Sequence, residues 1–214
     1  MIVERIVVGP LEENCYLVGC EKTKEAVVID PGEYPSKILK AAKLKGLKIK
    51  FILLTHCHFD HVGAVAKIKE AANAKVFLHK DEEELLKSSV QQALMFGLKL
   101  DSPPSEYEFI SDGDEIIFGE GKLKVIYTPG HTAGHVSFYY NSKEERGVFS
   151  GDVIFKGSIG RTDLPGGDYE TLMNSINEKI VPLGDNVVIF SGHGPETTVG
   201  KEKKYNPFLK GGFF

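Results

Sequence analysis

Thr55-His56-Cys57-His58-Phe59-Asp60-His61 follows directly on the apolar run Phe51-Ile52-Leu53-Leu54. The run reads as a buried strand, and the stretch after it as a loop of metal ligands. Three histidines and a carboxylate crowd together there. Imidazole and carboxylate suit Zn²⁺ and, less selectively, Fe or Mn. Four such groups side by side call for a cation that neutralises and orders them.

Three further candidates stand in similar settings. His131 lies in Thr128-Pro129-Gly130-His131-Thr132, Asp152 in Ser150-Gly151-Asp152, and His193 in Ser191-Gly192-His193-Gly194-Pro195. Each follows a β-rich run, and small residues flank each one, letting the backbone turn sharply and neighbouring loops approach. Loops that all follow strands can converge on one sheet edge. Of the 7 histidines in the chain, His79 and His135 remain as structural residues, with His135 a candidate to orient a ligand through its other ring nitrogen. Cys57 is expected to point away and pack.

His56, His58, Asp60, His61, His131, Asp152 and His193 are more ligands than one ion takes. An ion with an open position uses about three or four protein groups. The set fits two divalent ions: His56, His58 and His131 on the first, Asp60, His61 and His193 on the second, with Asp152 bridging.

The rest of the chain alternates short strands and helices. Ile2–Val8, Asn14–Val18 and Ala26–Ile29 read as strands, residues 36–45 as a helix, and 49–54 as the strand before the ligand loop. Asp168 is placed to cap a helix whose Leu172, Met173, Ile176 and Ile180 share one face. Residues 88–110 admit two readings: a helix and loop covering the site, or a surface helical hairpin with its own small core. A single domain over residues 1–214 accounts for the length.

Composition narrows the partners. The net charge of −4 argues against nucleic acid, which requires a basic face. No apolar run approaches the roughly 18 residues of a membrane span. Glu4 and Arg5 interrupt any export signal at the N-terminus. Cys15, Cys20 and Cys57 form no Cys-x-x-Cys pair, which fits a reduced, cytoplasmic setting.

Together, Thr-His-Cys-His-Phe-Asp-His, Pro-Gly-His-Thr-Ala-Gly-His (residues 129–135), Ser-Gly-Asp and Ser-Gly-His-Gly resemble the metallo-β-lactamase fold superfamily from end to end. The resemblance implies an α+β fold, the four-layer αβ/βα sandwich of two mixed β-sheets flanked by helices, with a metal site at one edge. Gly160-Arg161-Thr162-Asp163-Leu164-Pro165-Gly166-Gly167-Asp168 and the tail Asn206-Pro207-Phe208-Leu209 are similar to the short glyoxalase II-like hydrolases. Those cleave hydroxyacylglutathione thioesters, typically S-lactoylglutathione, and all seven ligands match that group position by position. Full-length glyoxalase II carries a helical C-terminal domain that supplies much of the glutathione pocket, and this chain ends at Phe214 without one. Persulfide dioxygenases, which use a single iron and O₂, share the Thr-His-Cys-His-x-Asp-His and Gly-Arg-Thr-Asp segments and are the alternative. His193 in Gly-His-Gly-Pro and the Leu-Pro-Gly-Gly-Asp continuation favour the hydrolase. The complete ligand set argues against a metal-stabilised binding module without turnover.

The expected chemistry is attack of a metal-bound hydroxide on a thioester carbonyl. Two ions, Zn in the first instance, lower the pKa of water. Asp60 fixes the orientation of the nucleophile, and the thiolate leaves without a dedicated general acid, because a thiol pKa is only about 8.5. Arg161 is the candidate for binding a substrate carboxylate in bidentate fashion. The competing role for it is a salt bridge to Asp163 or Asp168.

Overall fold

The computed structural model describes residues 1–142 and 145–210, so positions 143–144 and 211–214 of the expected domain lie outside it. The chain forms two mixed β-sheets with accompanying helices, an α+β architecture. It divides into two compact units, Met1–Ile110 with Ile116–Lys122, and Ser111–Glu115 with Leu123 onward.

In the first unit, β1 (Ile2–Val8), β2 (Glu13–Gly19) and β3 (Glu25–Ile29) form an antiparallel meander. Then follow α1 (Pro35–Leu44), β4 (Lys48–Leu53), α2 (Phe59–Val62), α3 (Val65–Ala72), β5 (Lys75–His79), α4 (Glu83–Lys87), α5 (Ser89–Met95) and β6 (Glu108–Ile110). Strands β3 to β6 pair in parallel. Crossover helices cover such strands, which is why Val27-Val28-Ile29 and Ile52-Leu53 read as unbroken apolar runs rather than alternating ones. Pro35 opens α1 where its missing N–H costs nothing. Ile38 and Ala42 of α1, and Val65 and Ile68 of α3, lie one helical turn apart and bury against Leu17, Val28, Ile52 and Leu54. Burial of one such Ile stabilises by about 1.5–3 kcal/mol.

The second unit follows β7 (Glu115–Phe118). It contains most of β8 (Gly121–Tyr127), then β9 (Val136–Asn141), β10 (Arg146–Gly151), the hairpin β11 (Ile154–Phe155) and β12 (Ser158–Ile159), α6 (Tyr169–Ser175), β13 (Val188–Ser191), β14 (Thr197–Thr198) and α7 (Val199–Tyr205). Its strands lie in the order β14-β13-β10-β9-β8. Strand β9 is antiparallel to both β8 and β10, and β10 is parallel to β13. Strands β8, β10 and β13 therefore all point the same way. The Asp168 carboxylate caps α6 by accepting from Thr171 N at 2.8 Å, as the sequence predicts. A wide turn at Ile176–Ile180 continues that helix. Leu172, Ile176 and Ile180 pack on Val148 and Ile189.

The expected helix over residues 36–45 and strand over 49–54 appear within a residue of their predicted bounds. In residues 88–110, α5 is followed by a returning loop, and Leu94, Met95 and Phe96 are 59, 85 and 57 % exposed. A self-packed hairpin would bury them. Instead Phe96 lies against Phe59, with ring centroids 5.0 Å apart, so the segment flanks the ligand loop within the first unit. The β11–β12 hairpin, β14 and α7 have no counterpart in the sequence reading.

Candidate metal centre

The seven candidate ligands divide between the two units. His56, His58, Asp60 and His61 lie in the first, and His131, Asp152 and His193 in the second, together with Arg161.

In the first unit the ligands follow from the parallel pairing of β3 with β4. The C-terminal ends of adjacent parallel strands share one edge of a sheet, the usual position for ligands. Strand β3 runs into Asp30 and β4 leads on to Thr55-His56. Asp30 N donates to Leu53 O at 3.0 Å, extending the ladder to that edge. The chain then turns into α2, which carries Asp60 and His61. Gly32 fits closely over this turn, because a Cβ at residue 32 would collide with the Asp60 carbonyl oxygen. The His56 ring lies 4.9 Å from that of His58 and 4.1 Å from that of His61, centroid to centroid.

One carboxylate organises these rings. Asp30 Oδ1 accepts from Thr55 N at 2.7 Å, and Oδ2 accepts from the Thr55 hydroxyl at 2.6 Å. With its proton committed to Asp30, Thr55 Oγ1 acts as acceptor toward His56 Nδ1, 3.0 Å away. Asp30 Oδ2 also lies 3.2 Å from His61 Nδ1. Acceptors thus face Nδ1 of both imidazoles, which places the ring proton there and makes Nε2 the Lewis base. Glu13, 1 % exposed, adds a second carboxylate at 3.8 Å from His61 Nδ1. Behind the loop, buried Glu82 accepts from Cys57 N at 2.7 Å. Cys57 itself joins the apolar core, and burial raises its thiol pKa well above the ordinary value. It is an inert packing residue.

In the second unit the topology again aligns the ligands. His131, Asp152 and His193 follow the C-terminal ends of β8, β10 and β13, the three strands that share a direction. Gly192 N donates to Gly151 O at 2.8 Å, which brings the β13 loop beside Asp152. Asp152 Oδ2 then lies 3.7 Å from His131 Nε2 and 3.7 Å from His193 Nε2. Its Oδ2 thus stands at the same distance from both imidazoles. His131 Nδ1 donates to the Arg161 carbonyl at 2.7 Å, so its Nε2 is again the basic atom. Gly160 permits that approach, since a Cβ there would strike the Asp152 carbonyl oxygen.

His135 contacts the backbone of the Asp152 loop. Its Nε2 accepts from Asp152 N at 3.2 Å, and its Nδ1 lies 3.0 Å from Thr128 Oγ1. Arg161 forms a bidentate pair with Asp163 at 2.8 and 2.9 Å. These hydrogen bonds hold the Asp163 pKa down at about 2. Sequence reasoning missed Asp30, although it sits in Ile29-Asp30-Pro31-Gly32, an acid after a strand with a glycine two residues on. An acid after a strand is also the signal that identified Asp152.

Imidazole and carboxylate donors, with His56, His61 and His131 buried and held with Nδ1 against an acceptor, suit a borderline divalent cation. The chain belongs to the metallo-beta-lactamase superfamily, whose family description matches residues 8–193. It is 38 % identical over 211 residues to the hydroxyacylglutathione hydrolase GloC of Haemophilus influenzae, covering 98 % of each chain. It is 41 % identical to the probable metallo-hydrolase YqgX of Bacillus subtilis over 97 % of each. Among solved structures it resembles TTHA1623 in a di-iron-bound form, with a TM-score of 0.88 and 42 % identity over 97 % of this chain and 100 % of that one. Among the described residues no helix is long and apolar enough to cross a membrane.

Proposed function

We propose that this protein is a metal-dependent thioester hydrolase acting on a substrate such as S-lactoylglutathione, with two divalent ions bound by the two half-sets of ligands. His56, His58 and His131 serve one ion, Asp60, His61 and His193 the other, and Asp152 both. The observation that carries the reading is the tautomer of His56, His61 and His131. Each has Nδ1 against an acceptor, as metal-bound imidazoles require. The GloC relative supports the substrate class, and the di-iron form of TTHA1623 supports a pair of ions.

When bound, such ions supply Lewis acidity and a water of lowered pKa. The chain's own contribution is orientation. The Asp30–Thr55 pair fixes His56 and His61, His135 fixes the Asp152 backbone, and the Asp60 carboxylate orients the attacking water. A thiolate leaves readily because its conjugate acid has a pKa of about 8.5, so no proton donor is assigned. Arg161 binds a substrate carboxylate by exchanging its Asp163 partner. The net charge of −4 and three free, buried cysteines favour a cytoplasmic protein with small-molecule partners rather than nucleic acid.

The test is release of free thiol from S-lactoylglutathione by metal-reconstituted protein under strictly anaerobic conditions. O₂ uptake on glutathione persulfide without thiol release would establish the dioxygenase instead. Elemental analysis should find up to two metal ions per chain, and a maximum of one would overturn the paired assignment.

A further inference from the structure

Beside Asp60, the first unit encloses a cavity of about 110 Å³. Leu11 of the β1–β2 turn, Phe59 of α2, and Leu98 and Leu100 of the loop after α5 line it, with Glu33, Asp60 and Lys99 as its charged members. Glu33, Lys99 and Leu100 also line a wider, open trough of about 580 Å³. Asp60, a candidate metal ligand, thus borders the cavity alongside apolar walls and the charged Glu33 and Lys99.

We propose that this cavity is the acyl subsite, shaped for an unbranched aliphatic acyl group of about four carbons. The inference rests on the thioester reading and specifies its substrate. A thioester has two arms. A peptide-like or phosphorylated thiol carrier would leave polar groups unpaired between Leu11, Phe59 and Leu98, at a cost that excludes it. An aliphatic chain gains there, by about fourfold in kcat/KM per buried methylene. A cavity of about 150 Å³ accepts benzene, with its six carbons, so about 110 Å³ accommodates roughly four by proportion. A longer chain would press its apolar end against Lys99 and Glu33 and strip them of water. The segment that borders the cavity is the one whose sequence admitted a covering role: the Phe96 ring lies tilted against Phe59, centroids 5.0 Å apart, and Leu98–Leu100 line the wall.

The experiment compares acetyl-, butyryl- and octanoyl-glutathione in a thiol-release assay with metal-reconstituted protein. The butyryl ester should exceed the acetyl ester in kcat/KM by about fifteenfold, with the octanoyl ester below the butyryl. Leu98→Ala should move the optimum toward a hexanoyl chain, and Leu98→Phe should shrink the butyryl-to-acetyl ratio toward one. If either fails to fold, Leu11→Ala and Leu11→Phe repeat the comparison from the opposite wall. Equal rates across chain lengths, unmoved by these variants, would overturn the subsite while leaving the hydrolase standing. Absence of thiol release from every ester would instead overturn the hydrolase. Binding would then decide the subsite, using a ketone analogue in which a methylene separates the butyryl carbonyl from sulfur. Amide shifts at Leu11, Leu98 and Lys99 would support the acyl site, and shifts confined elsewhere would refute it.

Discussion

The Asp30 carboxylate lies 3.2 Å from Nδ1 of His61, and this contact links the strand edge to the ligand chemistry. Asp30 reaches His56 too, through the Thr55 hydroxyl. A single acid at the end of β3 thereby sets the tautomer of two rings on the next strand's loop.

Replacing Asp30 should therefore damage metal binding more than folding alone explains. Asp30→Asn supplies an amide where His61 Nδ1 and Thr55 both need an acceptor. Partners of this kind are worth about 10–100-fold in metal affinity. We expect a loss in that range, measured by chelator competition. Thr55→Val removes only the His56 anchor and should cost less. Unchanged affinity in Asp30→Asn would refute the orienting role.

The parts legible in sequence are those whose chemistry is rare. Imidazoles and acids placed after strands nominated the seven candidate ligands, because few other arrangements crowd such groups. The contacts of Asp30 with Thr55 and His61, and of His135 with Asp152 N, depended on which loops meet in space, and spacing along the chain carries no record of that. The β11–β12 hairpin has two-residue strands around Lys156-Gly157, too short to show a period. Leu94, Met95 and Phe96 suggested a core and instead lie exposed, because an apolar run cannot state what it will pack against.

Two glycines test the close fit of the loops. A Cβ at residue 32 would meet the Asp60 carbonyl, and one at residue 160 the Asp152 carbonyl. Backbone atoms cannot swing aside as a side chain can. Gly32→Ala and Gly160→Ala should each destabilise by about 1–3 kcal/mol and lower metal occupancy. Gly46→Ala is the control: residue 46 has φ +65° and nothing within 4 Å of an added Cβ. It should cost about 1–2 kcal/mol of backbone strain with no effect on metal content. Equal metal content in all three variants would dismiss the close-approach argument.

Glu202 stabilises the second unit away from the ligands. Its buried carboxylate accepts from Thr197 Oγ1 at 2.6 Å, Gly157 N at 2.8 Å and Asn206 Nδ2 at 2.9 Å. It therefore ties α7 to β14 and to the β11–β12 turn. Glu202→Ala leaves the buried Thr197 hydroxyl without its acceptor, costing about 1–3 kcal/mol, and removes a shared acceptor of Gly157 N and Asn206 Nδ2. For a chain of 214 residues each kcal/mol lowers Tm by about 2–4 °C. A fall of at least 5 °C in a thermal melt is expected, with Glu202→Gln falling between. A shift within 1–2 °C of the unmutated protein would contradict the assignment.

Arg161 separates a side-chain role from a backbone one. Its carbonyl anchors His131, and substitution leaves that carbonyl in place. Its guanidinium pairs with Asp163, with the two side chains 52 and 70 % exposed, where solvent screening makes an ion pair worth little. The Asp163 pKa is depressed from 3.8 to about 2. A depressed carboxyl contributes its stability above the unfolded pKa, and loses it as pH falls through the folded one. That window lies below neutral pH, so Tm of Arg161→Ala should not acquire a pH dependence between pH 5 and 8. Metal content should also hold. The expected change is kinetic: KM for a carboxylate-bearing thioester rises about tenfold with kcat retained, the signature of lost uniform binding. Asp163→Asn, which frees the guanidinium, should lower KM. A fall in kcat or in bound metal with KM unchanged would place Arg161 in the scaffold of His131 rather than against the substrate.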